Sequence, residues 1–307
     1  MRYPKGIRIS LALALFLLIP FAASADASPG AGGIPGKIVF WSDRSSSIDL
    51  WVVRANGEGL RHLTRRQGSD FEPSWSPRGD RVVFQGYGPP APKGEIYVVG
   101  AKGHGLRRVT RNTADDYAPT WSPDGQRILF VRTARGNSDL YVMRSAGSRP
   151  RRLTYTSVCE REPDWSPDGK RIVVTFGCDA VGRIKVLNAD GSGARFPTKI
   201  EGRGPVWSPD GRKIAFTDDV LGGSINIVNA DGSGHTTQLS VPVASTGLSW
   251  SPDGRMLAFS KTTRPNPDCG DVAEVQLIYV VALKGGSVRR VTKDACGQGD
   301  YSPDWHR

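Results

Sequence analysis

One segment recurs six times in this chain of 307 residues, and its spacing limits the fold more than any other feature. Its fullest form is Glu162-Pro163-Asp164-Trp165-Ser166-Pro167-Asp168-Gly169, followed by the apolar run Ile172-Val173-Val174. The tryptophan returns at Trp75, Trp121, Trp165, Trp207, Trp250 and Trp305, at intervals of 46, 44, 42, 43 and 55 residues. A unit of that length, built of short strands with turn residues at fixed offsets, is one four-stranded blade of a radial repeat.

Within a unit the strands follow in order. In the second, Pro73 to Trp75 is the inner strand, Arg81 to Phe84 the next, Glu95 to Val99 the third and Leu106 to Thr110 the outer one. Third strands such as Asp139 to Met143 and Gln276 to Val280 are rich in β-branched and aromatic residues, as half-buried strands should be. Ser-Pro-Asp-Gly places Pro where φ near −65° is wanted and Gly where φ turns positive, and Asn56-Gly57, Asp190-Gly191 and Asp231-Gly232 are hairpin signals. The aspartate of each such turn reads as turn chemistry and not as a calcium repeat, because no second ligand recurs beside it. No helical period is sustained after the N-terminal segment, so the expected class is all-β.

The first unit, from Lys37-Ile38-Val39-Phe40 through Asp49 to Val53 and Leu60 to Thr64, lacks an inner strand, whereas Tyr301 to Trp305 is an inner strand with nothing after it. Joining the two closes six four-stranded antiparallel blades into a ring and removes two open sheet edges.

Ahead of the repeats stands a basic start (Arg2, Lys5, Arg8), an apolar run from Leu11 to Ile19, and Ala23-Ser24-Ala25. Residues 1–25 therefore read as a signal peptide and 26–36, rich in Ala, Ser, Gly and Pro, as a flexible leader, leaving 37–307 for the propeller. A run that short does not span a bilayer as a helix. The expectation is an exported, monomeric protein, periplasmic or secreted, without a transmembrane anchor after cleavage. Export also makes nucleic acid a poor partner. The formal charge is +11, and +8 once the leader's three basic residues are set aside. Much of the excess lies in pairs, Arg107-Arg108, Arg151-Arg152 and Arg289-Arg290, with Arg61-His62 at the equivalent place. These pairs read as guards on exposed strand edges, or as a cationic belt for an anionic envelope polymer or surface.

Four cysteines in an exported chain point to disulfides, not metal ligands. Of the three connectivities possible for Cys159, Cys178, Cys269 and Cys296, the repeat map favours Cys159 with Cys178 and Cys269 with Cys296. All four fall in connections at the end of the propeller opposite the Ser-Pro-Asp-Gly turns, here called the upper face.

Five residues before the tryptophan, where the inner strand enters from that face, stand Asp70, Asp116, Glu160 and Asp300, followed by Phe71, Tyr117, Arg161 and Tyr301. Inner strands line the central channel. These eight residues are therefore the candidate ligand site, a partial acidic ring with aromatic walls; the alternative is that each carboxylate caps local backbone N–H groups. No catalytic set is assigned: the histidines (His62, His104, His235, His306) do not converge, and neither a G-x-S-x-G elbow nor H-E-x-x-H occurs. No metal site or cofactor is expected.

The pattern Pro-x-Trp-Ser-Pro-Asp-Gly-x-x-Ile-x-Phe, followed by Ile-Tyr-Val and Leu-Thr, resembles that of the TolB-type propellers built from WD40-like (PD40) repeats, and the resemblance covers residues 37–307. Such repeats occur in periplasmic scaffold proteins and as gating or binding domains of peptidases. The expected function is recognition of a protein or peptide partner in the cell envelope or outside the cell. The alternative is a propeller hydrolase or lyase acting on an extracellular polymer through carboxylates at the channel mouth.

Overall fold

The alternation of apolar residues read above becomes strand throughout a computed structural model that describes residues 34–306, apart from 90, 148, 219–222, 235, 244–246, 265–273 and 294–295. The signal segment, most of the leader, His235 and Cys269 lie outside the described residues. No helix occurs among those described, and none is long and apolar enough to cross a membrane.

The first sheet contains β1 (Lys37–Ser42), β2 (Asp49–Arg54) and β3 (Arg61–His62). The second contains β4 (Ser69–Trp75), β5 (Arg81–Gly88), β6 (Ala91–Gly100) and β7 (Arg107–Arg108); the third, β8 (Asp115–Trp121), β9 (Arg127–Ala134), β10 (Asn137–Arg144) and β11 (Arg151–Arg152). A seven-stranded sheet follows, with β12 (Glu160–Trp165), β13 (Arg171–Phe176), β14 (Gly182–Asn188), β15 (Glu201–Trp207), β16 (Lys213–Thr217), β17 (Gly223–Asn229) and β18 (Thr237–Val243) in order. The last sheet holds β19 (Ser249–Trp250), β20 (Met256–Thr263), β21 (Val275–Ala282) and β22 (Val288–Arg290). The final strand, β23 (Asp300–His306), pairs antiparallel with β1 and completes the first sheet.

The seven-stranded sheet departs from the expected four strands per unit. After β14 the chain makes a single bridge, Val186 to Arg195, where an outer strand was expected. Pro197 has no N–H to extend that ladder. Instead β14 pairs with β15 through Gly182↔Gly202 and Arg183↔Glu201. Only glycine fits there: a Cβ on Gly202 would lie 2.4 Å from the carbonyl oxygen of Thr217, and one on Gly182 2.7 Å from that of Phe176.

The core lies between sheets. Phe40, Phe84, Phe130, Phe216 and Phe259, on the second strand of five units, are fully buried. Side chains of β1 and β2 pack on β4, β5 and β6, and those of β20 and β21 pack on β1 and β23. Each such phenylalanine contributes about 1.5–3 kcal/mol. The inner strands β23, β4, β8, β12, β15 and β19 each touch the next, and β19 touches β23.

The repeated turns use their residues as the sequence indicated. The glycine N–H bonds back to the serine carbonyl at 2.8 Å in all five turns. In four of them the aspartate accepts from the serine hydroxyl at 2.5–2.6 Å and holds its pKa below the ordinary carboxylate value. The third-to-fourth hairpins lie on the same side: Ala101 N–H bonds to Asp80 O (2.8 Å), Ala189 to Lys170 O (2.9 Å) and Leu283 to Arg255 O (3.0 Å).

The basic pairs do more than guard edges. In three of the four the first member reaches the hairpin of the next unit: Arg61 to Ala101 O (2.7 Å), Arg107 to Ser145 O and Ala146 O (2.8 Å each), and Arg289 to Ala55 O (2.5 Å). In three of the four the second member pairs with an acid of its own third strand: Arg108 with Glu95 (2.8 Å), Arg152 with Asp139 (2.7 Å) and His62 with Asp49 (3.0 Å).

Candidate functional site

Proline sits two residues before the tryptophan in five of the six repeats, and it decides what faces the channel. Lacking an N–H, it cannot pair within the sheet, so the inner strand bulges there. The residue before it takes a positive φ: Glu72 (49°), Ala118 (48°), Glu162 (52°), Gly204 (60°) and Ser302 (47°), with Gly247 (119°) in the sixth repeat. For the four non-glycine residues this left-handed backbone costs about 1–2 kcal/mol each. In those five repeats the bulge turns the positions three and one before the tryptophan into a shared cavity of about 150 Å³, to which the sixth repeat adds Gly247 and Leu248.

Four carboxyl groups line it: Glu72, Glu162, Asp164 and Asp304. Each also accepts a backbone N–H from the neighbouring inner strand. Glu72 accepts from Ala118 (2.8 Å), Glu162 from Gly204 (2.8 Å), Asp164 from Trp207 (2.8 Å) and Asp304 from Trp75 (2.6 Å). Desolvation pushes Glu72 up to about 7, helped by the charge of Glu162. It pushes Asp164 to about 7, with Asp304 adding repulsion, and Asp304 itself to about 6.

The sequence placed a different set of carboxylates here. Asp70, Asp116, Glu160 and Asp300 are fully buried, drawn back into the sheets and held by cations. Asp70 pairs with Arg66 (2.5 Å), Asp116 with Arg132 (2.6 Å), Glu160 with Lys185 (2.7 Å) and Asp300 with Arg44 (2.5 Å). Neither an open acidic ring nor simple turn capping describes them. Burial raises Asp70 to about 6 despite Arg66, and raises Asp116 and Asp300 as well. The four channel carboxylates were missed although their signal was present: they stand three and one residues before the tryptophan, on either side of the proline that marks the bulge.

Phe71, Tyr117, Arg161 and Tyr301 are half-buried on the upper side. Three of them join other rings or polar groups. Tyr301 stacks on Trp41 (centroids 4.0 Å apart), Trp41 meets Phe71 edge-on (5.1 Å), and Phe71 meets Tyr87 edge-on (5.9 Å). The run continues in polar contacts: Tyr87 Oη donates to Asp115 (3.2 Å), and Tyr117 Oη to Ser138 Oγ (3.1 Å). Desolvation, aided by Asp115, pushes Tyr87 up to about 12. Tyr117 is likewise raised by desolvation and feels the charges of both Glu72 and Arg161. Arg161 is held by Gly177 O (3.0 Å).

Beside Arg161 the Cys159–Cys178 disulfide expected from the repeat is present, joining the residue before β12 to the segment just after β13. Cys296 is also disulfide-bonded, while Cys269, its expected partner, lies outside the described residues. His62 stacks on Trp51, His104 is exposed in a hairpin and His306 lies at the lower end of the channel. Among the described residues, no group of three or more His, Cys, Asp or Glu is arranged to hold a metal ion.

Antiparallel sheets whose inner strands share one central cavity define a β-propeller. A family model described as PD40, the TolB beta propeller domain, matches residues 89–239. Among solved structures, the chain is similar to TolB from Acinetobacter baumannii at 20% identity and a TM-score of 0.70, covering 89% of this chain and 67% of that one. A putative TolB from Agrobacterium tumefaciens gives 19% and 0.63, covering 89% and 99%. An oligogalacturonate lyase from Vibrio parahaemolyticus gives 14% and 0.57, covering 85% and 75%. No curated protein matches the sequence. The chain has a TolB-like β-propeller fold.

Proposed function

We propose that the protein is an exported binding module, a closed ring of six blades that recognises a protein or peptide segment on its upper face. Counting the seven-stranded sheet as two units gives one blade per tryptophan. The β23–β1 pairing and the reach of Arg289 to the first unit support closure. The N-terminal apolar segment and the disulfide favour export.

The observation that carries the binding reading is the aromatic run Tyr301–Trp41–Phe71–Tyr87 beside the channel cavity. Rigid, partly open rings supply contact area at little entropic cost. A cavity of about 150 Å³ takes one side chain, not a folded element. Each channel carboxyl already accepts a backbone N–H from the next inner strand, which suits structural closure better than proton transfer to a substrate. The test is retention of envelope and culture-medium proteins by the mature protein, compared with a Trp41→Ala, Tyr301→Ala variant shown to fold. A partner kept by the parent and lost by the variant supports the reading; equal retention by both removes it.

The second reading is a lyase or hydrolase acting on an acidic extracellular polymer. It rests on the likeness to the oligogalacturonate lyase and on Glu72, whose raised pKa lies near neutrality. Turnover of oligogalacturonate that disappears in Glu72→Gln would favour it.

A further inference from the structure

Positive charge is concentrated on the lower face of the propeller. The lower face consists of the first-to-second turns, the third-to-fourth hairpins and the strand residues that abut them, tied together by the backbone bonds described above. It carries nineteen lysines and arginines against eight acids, a net +11, which leaves +1 for everything else among the described residues. Its aspartates accept hydrogen bonds from their own turns, among them Asp80 from Ser76, Asp190 from Ser192 and Asp231 from Ser233. Arg78, Lys102, Lys170, Arg212, Arg255 and Lys284 are exposed on that face.

We propose that the lower face docks on an anionic phospholipid surface. The charge is spread over the turns of successive repeats and not gathered in one groove, a pattern that fits a plane of headgroups better than a single acidic strand. Lys37, where the chain enters the fold, belongs to the same face: Gly36 O accepts the N–H of Ala55 in the first hairpin, and Pro35 O accepts Trp305 Nε1 (3.1 Å). The chain therefore enters the described fold at the basic face. Each Lys or Arg near an anionic bilayer contributes about 1 kcal/mol, and the attraction decays within a Debye length. Docking in this manner leaves the aromatic upper face pointing away from the lipid.

The test is co-sedimentation of the full chain with vesicles of phosphatidylcholine alone or mixed with phosphatidylglycerol. Three proteins are compared: the parent; a lower-face variant carrying Lys102→Glu, Lys170→Glu, Arg212→Glu and Arg255→Glu; and an upper-face control with the same change of charge, Lys93→Glu, Arg111→Glu, Arg135→Glu and Lys199→Glu. The parent is expected to bind only the mixed vesicles and to be released as salt rises from about 0.1 M to about 1 M, where the Debye length falls from about 10 Å to about 3 Å. The lower-face variant should bind more than about tenfold more weakly, and the control within about twofold of the parent. Equal binding to neutral vesicles would assign the contact to the apolar segment and overturn the proposal. Equal loss in the control would reduce the effect to net charge and overturn it too. Binding of polyglutamate without vesicle binding would move the face to a soluble acidic polymer. The Trp41→Ala, Tyr301→Ala variant should bind vesicles like the parent, so failure of upper-face recognition and failure of lower-face docking are separable.

Discussion

Asp304, in β23, accepts the backbone N–H of Trp75, in β4, at 2.6 Å, so a side chain at one end of the fold holds an inner strand near the other. Asp164 stands in the same relation to Trp207, at 2.8 Å.

Asp304→Ala removes the acceptor of Trp75 N–H and the partner of Ser249 Oγ (3.2 Å). It should lower stability by about 1–3 kcal/mol, since a buried donor is left unmatched. Asp304→Asn keeps an acceptor of the same shape and should cost less. Urea unfolding of both variants at pH 5, where Asp304 is protonated in the folded chain, checks the order.

The raised channel carboxyls set a direction for pH dependence. Asp304 rises from 3.8 to about 6, and Glu72 from 4.5 to about 7. Such a group binds its proton more tightly in the folded chain. The stability it contributes is fully present below its unfolded pKa and is lost as pH rises through its folded one. Between about pH 4.5 and 7.5 the fold should therefore weaken as pH rises, and Glu72→Gln should flatten the slope. Chemical unfolding at pH 5 and pH 8 reads both effects; greater stability at pH 8 in the parent would refute the account.

Glu160 and Lys185 form an ion pair almost wholly inside the protein, and Glu160 Oε2 has no partner among the described residues. Lys185→Met should destabilise by about 3–5 kcal/mol, because it strands a buried charge. Adding Glu160→Gln should recover part of the loss, and a double-mutant cycle in urea measures how much.

The Cys159–Cys178 bridge spans 19 residues of sequence. Replacing both cysteines by serine should cost about 2–4 kcal/mol. The thermal midpoint of the parent should fall on adding a reductant, while that of the double variant should respond less, through the bridge at Cys296 alone.

The strand order was legible because each tryptophan, proline and glycine of the repeat has a local job that does not depend on distant parts of the chain. The Cys159–Cys178 bridge was legible for a related reason: the repeat places both cysteines at one end of β12 and β13. The carboxylates were not. The position at the strand entrance, five residues before the tryptophan, pointed to Asp70, Asp116, Glu160 and Asp300, but beyond the proline bulge these side chains turn into the sheets, and Glu72, Glu162, Asp164 and Asp304, three and one before the tryptophan, line the cavity. Their cations were hidden as well. Arg44, Arg132 and Lys185 lie 256, 16 and 25 residues from their partners, with no shared offset, so only the folded register brings them together. The reach of Arg61, Arg107 and Arg289 into a neighbouring hairpin is a contact between sheets, which pattern within one repeat does not reveal.

The pairing of β23 with β1 also bears on how such a chain is made. Sheet by sheet, the middle of the molecule can assemble as it emerges, each unit finding a partner already in place. Until residues 300–306 are available, β1 exposes a bare row of hydrogen-bonding groups, Trp75 N–H lacks its acceptor, and the tryptophan pocket around Ile38 and Phe40 stands open. During synthesis, every species that lacks residues 300–306 therefore leaves β1 open on that side, and a holding factor that shields β1 would be needed until the last strand arrives.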